Sequence, residues 1–570
     1  MSRRAALGAA AVAAATVVLF VVSRGKWSDA IVDSGIEWAY ADALWRGELL
    51  YRDVVYWFGP FTPYFQAAVF RVFGSSFLAL AMAGIAGSVL VLAALYAALR
   101  RVVSQRDALL ATALAIPALL FMPNAGGAII GMGYRIWHPA GFTMAAVALA
   151  CGQRPASPWR RAALVGACAG LAALCRTEWG LIAIAGASTG FLLSRRPRTG
   201  QAVGAALVAL LVFATGIGIF VLRAGSAAVL EDGHIFLLGV SGDTRRFLVS
   251  FSGIRDWPRG VAELVYSSAL WAGGILVASR VLLGRRRRVG VRFAPALAVV
   301  LLALILSALA GGANGAVRFS AAPLVCFVAL VVGVWRRGRP YGAAMAAFGL
   351  VGLLASHRRP FHIVDSPYVA PPLLFALICA AGLLGVVAAL GEAGEDRRRL
   401  RLGYSTGLAI LVTLAFVRRT TQYARDSREP LPGTDGMLSA VAPQAREIAA
   451  MVEAVRKRTQ PGDGLVVFPE GQVLNQLTGR IDPLRHKLLI PGYLTAENES
   501  AVLEELRQRG PRALVLWPRR TDEYGPAEFG VDYGRRIFEW IQANYEGPIV
   551  PVPRGTARLY VRRSAPGTAN

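Results

Sequence analysis

Five acids, Asp33, Glu37, Asp42, Glu48 and Asp53, crowd among tryptophan, tyrosine and phenylalanine in "IVDSGIEWAYADALWRGELLYRDVVYWFGP", which begins at Ile31. With Asp29 added, a helix over "SDAIVDSGIEWAYADAL" would place Asp29, Asp33 and Glu37 four residues apart on one face. A carboxylate drawn partly out of water gains proton affinity and can act as a base. Asp33, Glu37 and a histidine could also gather around a divalent cation, although no ligand spacing in the chain demands a metal. The same acids could instead be the solvated face of a helix lying on a membrane, with Trp27, Trp38, Tyr40 and Trp45 anchoring it at headgroup level. Spacing alone leaves these readings open.

The elements that must position those acids follow from composition. The chain has 570 residues, 55% hydrophobic and only 17% charged, with a mean hydropathy of +0.49. An ordinary soluble globule carries about 25% charged residues. Apolar runs of about 15 to 22 residues recur between short charged breaks, close to the length that crosses a bilayer core. The expected fold is an all-α polytopic membrane protein of about thirteen transmembrane helices, two of them at Val261–Leu283 and Phe293–Ala310. With alternating spans, the basic breaks "RRVVSQRD", "QRPASPWRR", "SRRPR", "GRRRRVGVR", "WRRGRP" and "EDRRRLR" fall on one side. Short loops rich in arginine mark the cytoplasm. The amino terminus is then cytoplasmic, and the acidic loop (residues 24–76) and the chain beyond the last span are extracytoplasmic.

The net charge of +26 reads as topology signal and lipid-headgroup contact rather than as a nucleic-acid surface, because the arginines cluster at helix ends. Cys151, Cys168, Cys175, Cys326 and Cys379 lie in or beside expected spans and form no disulfide framework or metal-ligand pattern. The first apolar run, "SRRAALGAAAVAAATVVLFVVS", reads as a retained span, since no clear cleavage site follows it.

The division falls near residue 419: a transmembrane domain over 1–419 and an extracytoplasmic α/β domain over 420–570. In the latter, "APQAREIAAMVEAVRKRT" is an amphipathic helix and "LVVFP" a buried strand. "ENESAVLEELRQRG" is a helix, "ALVLW" a strand, "GRRIFEWIQANY" a helix and "IVPVPRGTARLYVRR" a closing hairpin. It carries no glycine-rich phosphate loop, so packing or acceptor docking is the expected role.

The run Asp33, Gly35, Glu37, Ala39, Ala43, "RGELLYRD", the aromatic-proline "FGPFTPY" at Phe58–Tyr64 and "VFRVFG" at Val69–Gly74 resembles the first external loop of the GT-C glycosyltransferases. The resemblance is to the bacterial family 39-type branch, related to protein O-mannosyltransferases and the lipid A aminoarabinose transferase. The tail segments "FPEGQVLNQLTGRIDPLRHKLLIPG" and "FGVDYGRRIFEWIQANY" are similar to those of bacterial members.

That resemblance implies inverting transfer of a sugar from a polyprenyl-phosphate donor to an envelope acceptor (glycan, lipid or protein) at the outer face of the plasma membrane. Asp33 matches the family's catalytic acid position. Glu37 would orient the acceptor or serve as a second acid, and Asp53 would fix the loop through a turn or an arginine pair. The leaving lipid phosphate calls for preorganised cations, for which Arg135, Arg176, His357, Arg358, Arg359 and Tyr368 are the candidates, and His362 of the same loop would bind acceptor or be structural. The late loop reads "SPYVAPP", without the histidine that the family places directly before the tyrosine. Glu178 would bind acceptor or form an ion pair with Arg176. The resembled relatives act without a metal, so no cofactor is expected. The partners are the lipid-linked sugar, the acceptor and the bilayer. A polytopic lipid or sugar transporter, or an inactive envelope scaffold, are the rival classes. A transporter usually shows internal repeats, and none is visible.

Overall fold

The computed structural model describes residues 3–123, 127–131, 134–152, 157–233, 242–251, 322–339, 341–356, 370–390, 395–552 and 555–563, together with residues 258, 262 and 265. Apolar runs become helices wherever they are described: α1 (Arg3–Ser23), α4 (Phe77–Leu99), α6 (Tyr134–Ala150), α7 (Pro158–Cys175), α8 (Thr177–Leu192) and α9 (Thr199–Ala224). Between the first two of these lie α2 (Ser34–Trp45) and α3 (Phe61–Phe73), and α5 (Gln105–Ala115) follows α4. After α9 come the short α10 (Ser226–Asp232) and α11 (Gly242–Phe251), then α12 (Ala322–Trp335), α13 (Gly342–Ala355), α14 (Ala370–Leu390) and α15 (Glu395–Arg425).

Two of these, Phe77–Leu99 and Thr199–Ala224, are long and apolar enough to cross a membrane by themselves, and four shorter apolar segments accompany them. The expected spans at Val261–Leu283 and Phe293–Ala310 lie outside the described residues, apart from isolated positions.

Small residues let these helices approach closely, the usual means of packing where lipid is the surrounding solvent. A Cβ on Gly166 of α7 would sit 2.5 Å from the Ala205 carbonyl oxygen of α9. Serines cap the starts of α4 and α5: Ser76 accepts from the Ala79 N–H at 3.1 Å, and Ser104 from the Asp107 N–H at 3.3 Å. Asp107 also receives Ser405 Oγ of α15 at 2.6 Å. The wide π-turn Ile116–Leu120 contains Pro117, which can donate no N–H. Side chains of α15 hold two carbonyls of this stretch: Arg419 Nε donates to the Pro117 carbonyl at 2.9 Å and Tyr423 Oη to that of Phe121 at 3.1 Å.

Beyond α15, β1 (Arg428–Pro430) pairs with β2 (Ser439–Val441), and α16 (Ala442–Arg456) follows. A four-stranded sheet has the order β3-β4-β6-β5, built from β3 (Leu465–Phe468), β4 (Ala513–Leu516), β5 (Tyr545–Ile549) and β6 (Arg558–Arg562). β3 and β4 run parallel, with Val466 opposite Leu514. Their crossover contains α17 (Val473–Thr478) and α18 (Glu499–Arg509), as parallel pairing requires. α19 (Arg535–Asn544) lays Ile537 and Ile541 onto the sheet core beside Phe468 and Leu514. The closing hairpin begins at Tyr545, directly after that helix, earlier than its sequence suggested.

The first loop has a core of its own. Ile36, Tyr40, Leu44, Tyr51 and Tyr56 pack with Phe220 of α9 and with Leu488 and Ile490 of the tail. Three distant parts of the chain therefore meet around the acids.

Candidate functional site

The helix that carries the acids is shorter than its spacing suggested. It begins at Ser34, with Asp33 as its N-terminal flanking residue at φ 69°, so Asp29, Asp33 and Glu37 do not share a helical face. Asp29 is a turn residue whose Oδ1 accepts the N–H groups of Ile31 and Val32 at 2.8 and 2.9 Å. That local bonding competes with helix formation, as is usual for aspartate. Nor are the aromatics headgroup anchors: Trp27, Trp38 and Tyr40 are buried inside the protein, and only Trp45 is exposed.

Glu37 is buried rather than solvated. Its Oε1 lies 2.6 Å from Nε of Arg135, at the start of α6. The Arg135 guanidinium stands 5.4, 5.3 and 5.0 Å from the rings of Tyr40, Tyr56 and Phe58, within the range of cation–π attraction. Burial raises the Glu37 carboxyl above the usual carboxylate range; Arg135 opposes that and Asp33 adds to it. Two buried donors in this cage, Nη2 of Arg135 and the Tyr56 hydroxyl, have no hydrogen-bond partner among the described residues. Unpaired buried donors cost free energy unless something fills them.

Phe58 also touches the second candidate cation, with the Arg176 guanidinium 5.0 Å from its ring. Arg176 Nε donates to Glu178 at 2.7 Å. The turn holding Phe58 is seated tightly: the Gly59 N–H donates to Cys175 O at 3.1 Å, and a Cβ at Gly59 would come 2.0 Å from the Leu174 carbonyl. Tyr51 Oη donates to the Phe58 carbonyl at 2.7 Å. The starts of α6 and α8 and the "FGP" turn thus gather Arg135 and Arg176 around one aromatic ring, with Glu37 paired to Arg135.

Asp33 faces the tail. Its N–H donates to Glu470 Oε1 at 3.1 Å, and Glu470 is ion-paired with Arg519. Burial pushes the Glu470 carboxyl up to about 8, against the pull of Arg519 and with repulsion from Asp33 and Asp29. The Arg519 guanidinium lies 5.6 Å from the Tyr524 ring. At Gly35 a Cβ would meet the Val473 backbone nitrogen at 2.3 Å, so the first turn of α2 rests on the tail backbone. Glu470 and Arg519 were not among the sequence candidates. The available signal was the acid in "FPEG" at the end of a buried strand.

Asp53 sits apart, accepting the Leu49 N–H at 2.8 Å and pairing with Arg52 at 2.7 Å; the hydrogen bond from Arg52 holds its carboxyl below the usual range. His357, Arg358, Arg359, His362 and Tyr368 lie outside the described residues. Among the described residues no three His, Cys, Asp or Glu side chains are grouped to hold a metal ion.

Residues 58–218 match the family described as dolichyl-phosphate-mannose-protein mannosyltransferase. No curated protein matches the chain. Among solved structures, ArnT from Cupriavidus metallidurans in the apo state aligns over 98% of each chain, at 14% identity and a TM-score of 0.54. The same protein bound to undecaprenyl phosphate aligns over 96% of each chain, at 13% identity and a TM-score of 0.54. The archaeal oligosaccharyltransferase AglB from Archaeoglobus fulgidus, in complex with an inhibitory peptide and a dolichol-phosphate, aligns over 89% of this chain and 68% of its own, at 13% identity and a TM-score of 0.47.

Proposed function

We propose, for a chain with the GT-C fold, that it is a membrane glycosyltransferase which moves a sugar from a polyprenyl-phosphate donor to an envelope acceptor. The observation that carries this reading is the buried Arg135, held beside Glu37 in an aromatic cage with its Nη2 unfilled among the described residues. A fixed guanidinium with a spare donor suits a phosphate oxygen. The mannosyltransferase-family match over residues 58–218 covers the "FGP" turn, Arg135 and Arg176. The bound undecaprenyl phosphate of ArnT supports a lipid phosphate as the carrier.

In this reading Asp33 takes the proton of the acceptor hydroxyl as its oxygen bonds to the anomeric carbon. The bond from that carbon to the phosphate oxygen breaks on the opposite side, which inverts the configuration. The electron pair leaves with the lipid phosphate, where Arg135, the Tyr56 hydroxyl and Arg176 stabilise the new charge. His357, Arg358, Arg359 and Tyr368 would complete the phosphate site, and Glu178 and His362 would border the acceptor. Glu37 orients Arg135, Glu470 and Arg519 hold the Asp33 backbone, and Asp53 fixes the loop. The loop and the tail (420–570) face outward across the plasma membrane, the amino terminus faces the cytoplasm, and no cofactor takes part.

The test is transfer of radiolabelled sugar from a panel of polyprenyl-phosphate sugars by the purified protein, wild type beside Asp33→Asn, with and without a chelator. Product from the wild type, nearly lost in the variant and indifferent to the chelator, supports the proposal. A donor moved across a vesicle membrane without covalent change would point to transport instead.

A further inference from the structure

The opposite end of the bundle carries a second concentration of charge. Arg100, Arg101, Arg195, Arg196, Arg198 and Arg339 line one cavity of about 650 Å³, within the range of small-ligand sites. These residues follow α4 and α8 or lie in the loop between α12 and α13. Arg135 begins α6, whereas Ala150 and Cys151 at its far end line the cavity. At 1.5 Å per residue, that is about 25 Å along the helix.

Among the described residues that line the cavity there is no aspartate or glutamate. Arg195 Nε donates to the Gly338 carbonyl at 2.8 Å, Arg198 Nη1 to Gly152 O at 3.4 Å and Arg100 Nη1 to Val103 O at 3.3 Å. Carbonyls of this kind orient guanidinia without neutralising them. Tyr341, also on the lining, is held at φ 68°, a left-handed conformation that a tyrosine adopts only when its surroundings impose it.

The surroundings name the source of an anion. Trp159, in the first turn of α7, and Trp335, at the end of α12, are 72% and 73% exposed at this same end. Exposed indoles at helix ends mark the headgroup layer. Val203 and Leu207, one to two turns into α9, are exposed apolar residues placed to meet acyl chains. We propose that the arginine-lined cavity is a binding site for a phosphate-bearing anion, the head group of an anionic phospholipid at the face opposite Glu37 and Arg135. Phosphate oxygens would accept from Arg100, Arg101, Arg196 and Arg339, and basic pockets between helices bind such head groups. The site is independent of the transfer reaction.

The test is native mass spectrometry of the purified full chain, titrated with dioleoyl phosphatidylglycerol or dioleoyl phosphatidylcholine. The wild type is compared with the triple variant Arg100→Gln/Arg196→Gln/Arg339→Gln and with the distant control Arg418→Gln. All four substituted arginines are exposed. The wild type should retain phosphatidylglycerol over phosphatidylcholine, and the triple variant should bind it about a hundredfold more weakly, with the control unchanged. Equal retention by wild type and triple variant, or equal binding of both lipids without an effect of orthophosphate, overturns the proposal. If millimolar orthophosphate alone raises the wild-type melting temperature but not that of the triple variant, and neither lipid is preferred, the anion site stands and the lipid source is overturned. Should the triple variant not be monodisperse, Arg339→Glu alone is read by the same criteria.

Discussion

The Asp33 N–H donates to the Glu470 carboxylate at 3.1 Å, across 437 residues of chain. That bond holds a non-glycine residue in a left-handed conformation at the head of α2, and Arg519 holds the acceptor in turn. Glu470→Ala should release Asp33 and lower transfer about 10- to 100-fold, the effect of misplacing a reacting group by about 1 Å. Glu470→Gln keeps an acceptor oxygen and should lose less. Sugar-transfer rates at saturating donor compare the two; equal losses would sink the positioning role.

Glu470 also predicts a pH dependence of stability. Its carboxyl is raised to about 8 in the folded protein, first by burial. A raised group binds more protons folded than unfolded, so its contribution is fully present below its unfolded value of about 4.5 and is lost as pH rises through about 8. The melting temperature should fall between about pH 4.5 and 8 in the wild type, and fall less in Glu470→Gln. Parallel profiles would show that other groups govern this window.

Asp33→Asn preserves size and tolerates the left-handed conformation better than most residues do. The variant should keep its melting temperature within a few degrees while transfer falls about 10²- to 10⁴-fold, the range of general-base catalysis. Comparable rates would leave Asp33 a structural turn residue.

Breaking the buried pair of Glu37 and Arg135 should be costly. Glu37→Gln strands a buried guanidinium and should cost about 3–5 kcal/mol. The double variant Glu37→Gln/Arg135→Met removes the stranded charge and should recover part of that loss. Thermal melts of the single and double variants in one detergent decide it; a double variant less stable than Glu37→Gln contradicts the pairing.

Gly35→Ala would drive a Cβ to 2.3 Å from the Val473 backbone nitrogen, and backbone cannot swing aside as a flexible side chain can. The expected loss is about 1–3 kcal/mol. Gly200→Ala, near the start of α9 with nothing within 4 Å, should be neutral or gain up to about 1 kcal/mol. Melting temperatures of the two variants test the contrast.

The sequence by itself determined where most of the described apolar helices run, because apolar run length and interrupting arginines are local properties. The described helices at Phe77–Leu99, Thr199–Ala224 and Gly342–Ala355 lie on runs visible in the chain. Strands Leu465–Phe468 and Ala513–Leu516 were legible for the same reason, as short apolar stretches between turns. Glu37, Arg135 and Arg176 could be nominated by residue type. The meeting of Arg135 and Arg176 at Phe58 and the pairing of Glu37 with Arg135 could not, because they depend on how α2, α6 and α8 pack. The four-residue spacing of Asp29, Asp33 and Glu37 suggested one helical face, but side-chain bonding of Asp29 to its own turn and the tail carboxylate on the Asp33 N–H overrode it. Only the tertiary structure decided that Glu470 and Arg519 belong beside the acidic loop. A contact spanning 437 residues leaves no periodicity in a sequence, and long-range packing alone selects which buried acid meets which backbone donor.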